Sequence, residues 1–184
     1  MALEVRPAKH LRVDSVSGMT TRISKATPDR MSNDCIFCKI IEGQSPSHTI
    51  WEDESHVAFL SIFPNTEGCS VVIPRKHSPS YAFHLEDDAL AGLVLAARKV
   101  GLLLDRAFDD VGRTGMVLEG FGVDHVHAKL FPMHGTPKQG KWQPIKSNVD
   151  RYFTRYDGYL SSHDHARASD EALAMLAARI RAAA

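Results

Sequence analysis

The chain has no excess charge: 22 Lys and Arg balance 22 Asp and Glu among 184 residues. No long block of one sign disturbs that balance. Non-specific binding to nucleic acid through a basic surface is therefore not indicated, and an anionic ligand must be held by a local site. Long apolar runs are missing too. None approaches the ~20 residues that a membrane-spanning helix needs, so the sequence predicts a soluble protein with no membrane partner. Cysteine is scarce: Cys35, Cys38 and Cys69 are too few and too odd in number for a disulfide framework, and no secretory signal precedes them. A reducing cytoplasm is the expected setting. No internal repeat is visible. What remains is a globular composition, 43% hydrophobic and 24% charged, long enough for one domain with a real core.

Residues 1–33 mix Arg6, Lys9, Arg12, Arg22, Lys25 and Arg30 with Ser, Thr and Pro, and show little apolar periodicity. This predicts an irregular extension, or a start assigned too early with Met19 and Met31 as alternatives. Its basic, hydroxyl-rich character suits a transit peptide, but Glu4, Asp14 and Asp29 argue against one. From Asp34 the composition changes abruptly. A short helix over Phe37–Ile41 ends at Gly43, and strands over Thr49–Glu52 and His56–Ile62 form an antiparallel hairpin around Asp53-Glu54-Ser55. Ser70–Ile73 is a β-branched strand stopped by Pro74. Leu85, Ala89, Leu93, Ala96, Val100, Leu103 and Leu104 form one stripe of a long helix between Leu85 and Phe108, with acids in its first turn where the dipole favours them.

Asp109 to Gly112 breaks that helix, a strand runs over Gly115–Glu119, and Gly120-Phe121-Gly122 is a tight turn. A loop follows Met133, then Tyr152 to Leu160 carries four aromatics, and Asp170–Arg181 is a terminal helix that Ser169 or Asp170 can cap. The order predicts an α+β fold with an antiparallel sheet. The expected divisions are 1–33, a domain over 34–134, and an extension over 135–184.

One stretch concentrates chemistry. In residues 123–132, His125, His127, Lys129 and Phe131 fall two apart, with Val126, Ala128 and Leu130 between them. A strand would gather the basic groups on one face and bury the other. Such a pair of histidines suggests a metal, a phosphate-handling site, or both; the plain alternative is two exposed strand histidines with no role. Cys35-Ile-Phe-Cys38 has the gap that lets two thiolates reach one metal. Redox use is the rival, although no βαβ pattern surrounds the motif. A closed tetrahedral site needs two more ligands, for which His77 and one of His125 or His127 are the candidates.

Phosphate chemistry would need a histidine that is neutral near pH 7 and has its second ring nitrogen held. It would also need cations and N–H donors around the phosphoryl oxygens, which Lys129 and the backbone at Gly120 and Gly122 can supply. Cys35-Ile-Phe-Cys-Lys-Ile-Ile-Glu-Gly, Trp51-Glu-Asp-Glu, Ala58-Phe-Leu-Ser-Ile, Val71-Val-Ile-Pro-Arg-Lys-His77 and His125-Val-His-Ala-Lys together resemble the histidine triad superfamily of nucleotide hydrolases and transferases. The likeness runs from about Asp34 to Pro132. It implies a five-stranded antiparallel sheet with a long helix, a two-fold homodimer, and attack by a histidine on the α-phosphorus of a nucleotide.

Residue by residue, the resemblance implies His127 as nucleophile and His125 as the residue whose carbonyl orients it. Cys35, Cys38, His77 and His125 match the ligands of a structural zinc in the zinc-containing branch. Ile36, Phe37 and Phe59 match positions that line a base pocket, a role that equally suits plain core. Lys129 stands in place of the third triad histidine. Ser61 stands where an aspartate usually meets the ribose, Cys69 replaces a common histidine, Leu118 an asparagine, and Phe121 to Asp124 shorten the phosphate loop. Glu119 compensates only by meeting a hydroxyl or an amine. His134 is a candidate donor to the leaving group. The expectation is a zinc-containing phosphoramidate or phosphoanhydride hydrolase or nucleotidyltransferase, with a non-catalytic nucleotide- or protein-binding module as the alternative.

Overall fold

Strands form where apolar side chains repeat every second residue, and the long helix forms where they repeat every three to four. The computed structural model describes residues 34–136, 144, 152, 154–155 and 165–184. The extension expected over 1–33 and most of the aromatic segment from Tyr152 to Leu160 lie outside them. Five strands, β1 (Thr49–Glu52), β2 (His56–Leu60), β3 (Ser70–Pro74), β4 (Val111–Val117) and β5 (Ala128–His134), make one sheet in the order β1-β2-β3-β5-β4. Every neighbouring pair is antiparallel. The helices are α1 (Ile36–Ile41), α2 (Asp87–Ala107) and α3 (Asp170–Arg181). The predicted α+β plan with five antiparallel strands is the observed one.

The pleat sorts the side chains of β2 and β3 between two clusters, one on each face of the sheet. Ala58, Leu60 and Val72 face the main core with Leu93, Val100, Leu103 and Leu104 of α2. Val57, Phe59, Val71 and Ile73 point the other way and pack with Cys35, Phe37 and Cys38 around α1. Helix α2 thus packs on one face, and the small helix beside the cysteines packs on the β2–β3 part of the other.

Helix α3 closes the main core with Leu173, Ala177 and Ile180. The Ser169 hydroxyl caps it by accepting from the Ala172 N–H at 3.1 Å, and Asp170 and Glu171 occupy its first turn. The Arg181 guanidinium donates to the Thr49 carbonyl, and Ala168 N–H to that of Ile62 at 2.9 Å, which ties the helix to the β1–β2 end of the sheet.

Strands β2 and β4 end two residues earlier than the sequence reading, at Leu60 and Val117, and two strand starts differ more. Strand β4 begins at Val111, inside the expected break, because fully buried Val111 pairs with His134 across a bulge and Gly112 N–H reaches the Thr136 hydroxyl at 2.9 Å. Strand β5 begins only at Ala128, so His125 and His127 lie just before it. There the main chain turns elsewhere: His125 N–H bonds the Val123 carbonyl at 2.8 Å, and Val126 N–H bonds that of Ser78 at 2.9 Å.

At the far end of β5, His134 has both ring nitrogens engaged, Nδ1 by Asp110 at 3.0 Å and Nε2 by the Glu67 carbonyl at 3.0 Å. It is therefore not placed as a donor to a leaving group. Burial lowers its pKa, but the Glu67 carbonyl and Asp110 outweigh burial and raise it above the ordinary 6.5. The His134 hydrogen bond in turn holds Asp110 below the ordinary 3.8. The histidine's contribution is complete below pH 6.5 and fades as pH rises through its raised value. That of Asp110 is complete above pH 3.8 and fades as pH falls through its lowered value. The melting-temperature gap between the wild type and His134→Gln should be widest between about pH 4 and pH 6 and shrink by pH 8.5. A gap that does not change with pH would remove the charged pair.

Candidate metal centre and active site

Cys35 immediately precedes α1 and Cys38 lies within its first turn, so one helical turn brings both sulfurs to the same side. His77 arrives from the segment after β3, and His125 from the segment before β5. Cys35 Sγ lies 3.6 Å from His125 Nδ1, and Cys38 Sγ lies 3.4 Å from His77 Nδ1 and 3.7 Å from His125 Nδ1. A tetrahedral metal with bonds of about 2.3 Å to sulfur and 2.0–2.1 Å to nitrogen sets neighbouring S and N atoms about 3.5 Å apart. The observed separations fit that edge, and all four donor atoms lie within 4.8 Å of one another.

His125 Nε2–H donates to the Pro74 carbonyl at 2.9 Å, which leaves the Nδ1 lone pair toward the sulfurs. Burial, then the neighbouring Cys35, pushes the Cys38 thiol up to about 11, so a cation among these donors is what would favour the thiolate. Among the described residues this is the one converging group of such donors, and His127 is not part of it. Two histidine nitrogens facing two free cysteines favour the metal reading of the motif over the redox one.

His127 is 2% exposed, so the alternative of two idle surface histidines does not hold. Its Nδ1–H donates to the His125 carbonyl at 2.7 Å, which leaves the lone pair on Nε2. Burial lowers its pKa, so the ring is neutral near pH 7. Phe37 meets the rings of His127, His125 and Phe59 edge-on, with centroids 5.3, 5.8 and 5.5 Å away. One aromatic side chain from the cysteine helix thus touches both histidines.

Lys129 pairs in register with Val117, and its Nζ lies 3.2 Å from Glu119 Oε1. The two side chains are partly buried, at 17% and 10% exposure. The second Glu119 oxygen accepts from Phe121 N–H at 2.7 Å. Of the other sequence candidates, Ile36 is exposed at the start of α1. Ser61 is held in the turn after β2, its hydroxyl accepting from Phe63 N–H at 3.2 Å and its own N–H bonding the Cys69 carbonyl at 2.8 Å. Leu118 packs against the main core.

Gly120 and Gly122 behave differently. Nothing lies within 4 Å of a Cβ added at Gly122, whereas Gly120 has φ +70° and its added Cβ would stand 2.6 Å from the Ser80 carbonyl oxygen. Gly120→Ala should therefore cost about 2 kcal/mol or more in urea unfolding, from backbone strain plus displacement of Ser80. An unchanged midpoint would contradict this close approach.

Three positions were not reached from the sequence. Asp124 accepts from Ser80 N–H at 2.8 Å, the Ser78 carbonyl holds Val126, and the Pro74 carbonyl holds His125. An aspartate beside the histidine pair was a signal that could have been used. The two carbonyls carry none, because every residue has one.

Residues 42–136 match the HIT domain. A HIT-like protein of Methanocaldococcus jannaschii is 37% identical over 121 residues, which cover 63% of this chain and 92% of that protein. The adenosine 5'-monophosphoramidase hnt1 of Schizosaccharomyces pombe is 32% identical over 99 residues, covering 53% of this chain and 73% of that protein. The crystal structure of a HIT-like protein from Bartonella henselae superimposes with a TM-score of 0.57 at 25% identity, covering 83% of this chain and 97% of the other. The matched span holds His77, His125, His127 and Lys129 but begins after the two cysteines. The chain belongs to the HIT domain family.

Proposed function

We propose that this HIT protein is a hydrolase or nucleotidyltransferase that cleaves a nucleoside phosphoramidate or phosphoanhydride through a nucleotidyl adduct on His127. The observation that carries the reading is the buried His127 ring, fixed by the His125 carbonyl with Nε2 as the nucleophilic nitrogen. Nε2 attacks the α-phosphorus, and the bond to the leaving group breaks with its electron pair departing on that group, which takes up a proton. Water then attacks the same phosphorus, the P–N bond to His127 breaks, and the nucleoside monophosphate leaves. Lys129 acts as the phosphate cation, with N–H groups near Gly120 and Gly122 as further donors. Ile36, Phe37 and Phe59 line the base pocket, Ser61 faces the ribose, and Glu119 borders the phosphates. The relative named as a phosphoramidase supports the substrate class.

Zinc suits the donor set of Cys35, Cys38, His77 and His125, and with four protein ligands it would serve structure alone. These residues would then fix α1 and the His125 segment to the end of β3. The free cysteines fit a cytoplasmic protein, and no helix among the described residues is long and apolar enough to cross a membrane.

The test is a panel of adenosine phosphoramidate, adenylyl sulfate and diadenosine polyphosphates, with mass spectrometry for an adduct of one adenylyl group on His127. The balance of Lys129 by Glu119 favours a second reading, a nucleotide-binding module. Tight binding with neither adduct nor product would establish it.

The chain also has a face suited to a homodimer. Strand β4 is an edge of the described sheet, and Met116 on it is 44% exposed beside Leu102 of α2. A hollow of ≈ 250 Å³ lined by Val94, Gly101, Leu102, Thr114 and Met116 lies between them. Pairing two such edges would satisfy the strand and cover the apolar side chains. Sedimentation should give twice the chain mass, and Met116→Glu should halve it; a wild-type monomer at micromolar concentration would end this reading.

A further inference from the structure

An acid among the proposed phosphate ligands is the feature that the proposed chemistry uses least well. Glu119 follows β4, opposite the start of β5, and was assigned above to the nucleotide site. Its carboxylate is already engaged at both oxygens, with Lys129 Nζ at 3.2 Å on one and Phe121 N–H at 2.7 Å on the other. A partly buried carboxylate in that state would repel a phosphate rather than bind it.

An ion pair this shielded is also a poor source of stability, because desolvation of the two charges offsets their attraction. Its value must be sought in what it fixes. Lysine is a point charge on a flexible four-carbon stem, and it contributes to a reaction only if that stem is held. Glu119 is placed to hold it, and its second oxygen ties down the turn at Phe121. Gly120, in the same turn, lies so close to the Ser80 carbonyl that the turn has little room to shift.

We propose that Glu119 is a positioning residue: its two carboxylate oxygens hold the Lys129 ammonium and the Phe121 N–H, and so set the cation and the glycine turn beside His127. The proposal rests on the hydrolase reading for its kinetic consequences. It does not need that reading for its structural one, which is that Glu119 shields and orders Lys129.

The experiment compares Glu119→Gln, Glu119→Asp, Lys129→Met and the double variant Glu119→Gln with Lys129→Met. Each is measured with the panel substrate that the wild type turns over best, and each is subjected to reductive methylation with the Lys129 peptide followed by mass spectrometry. Glu119→Gln should lower kcat about 10- to 100-fold with KM nearly unchanged, and Glu119→Asp should recover part of the loss. The double variant should be no slower than Lys129→Met alone, because both changes act through one group. Lys129 should be methylated several-fold faster in Glu119→Gln than in the wild type.

A raised KM with unchanged kcat, or losses that add in the double variant, would overturn the proposal in favour of direct nucleotide contact. Unchanged methylation would overturn it outright. If the wild type turns over nothing and forms no adduct, the hydrolase reading fails by itself, and methylation still decides whether Glu119 holds Lys129. Should Glu119→Gln not fold, Glu119→Asp keeps the charge and carries the same comparison: faster methylation supports the holding role and an unchanged rate rejects it.

Discussion

His127→Ala should lower turnover of a phosphoramidate or phosphoanhydride substrate by about 10⁴-fold or more and abolish the adenylyl adduct. The size follows from what is removed. Without the ring there is no Nε2 to attack phosphorus, and binding and charge stabilisation alone support only a residual rate. A buried ring replaced by a methyl group also leaves a cavity, with a stability cost of about 2 kcal/mol or more. His127→Asn separates the two effects, because its amide can still donate toward the His125 carbonyl while offering no nucleophile. Both variants should keep their metal and nucleotide affinity while losing the adduct. An adduct that persists in His127→Ala would place the nucleophile elsewhere, and unchanged turnover would discard the mechanism.

Cys38→Ser is the second change with a large expected effect. Helix α1 spans Ile36–Ile41, six residues, a length that has no stability of its own in water. Its attachment rests on Phe37, on the small apolar cluster of Val57, Phe59, Val71 and Ile73, and on the cysteines. A metal bound only in the folded state contributes its binding free energy to folding. Removing one thiolate should take metal analysis from one zinc per chain to almost none and lower the melting temperature by roughly 10 °C, equivalent to about 3–5 kcal/mol. A chelator should bring the wild type to the same midpoint and leave the variant unmoved. Equal zinc content and equal melting temperature in the two proteins would end the assignment.

Much of this architecture was legible because it depends on local apolar period. The stripe from Leu93 to Leu104 marks a helix in any context, and Ser169 followed by Asp170 and Glu171 marks the start of α3 almost to the residue. Legibility failed where the backbone takes an unusual partner. The Asp109 to Gly112 turn signal hid Val111, whose burial and pairing with His134 carry β4 further back than its composition suggests. The histidine pair has the alternation of a strand, yet β5 starts after it because the main chain there bonds Val123 and Ser78 instead.

The metal cluster was reachable because thiol and imidazole side chains announce themselves. Spacing alone left His125 and His127 both open as the fourth ligand; the family resemblance implied His125, and the geometry shows it facing the sulfurs. Glu119 illustrates the opposite case. Its charge was plain in the sequence, and its meaning depended on finding Lys129 across the strand pair.

His125 carries two tasks on chemically separate parts. The ring faces the cysteines, whereas the atom that fixes His127 is a main-chain oxygen. Every amino acid supplies that oxygen, so a substitution at this position removes the metal ligand without deleting the acceptor. The two tasks are therefore heritable apart. A descendant chain could discard the metal through changes at Cys35, Cys38, His77 and His125 and still inherit the hydrogen bond that sets the nucleophile's tautomer, provided that other packing held the segment in place.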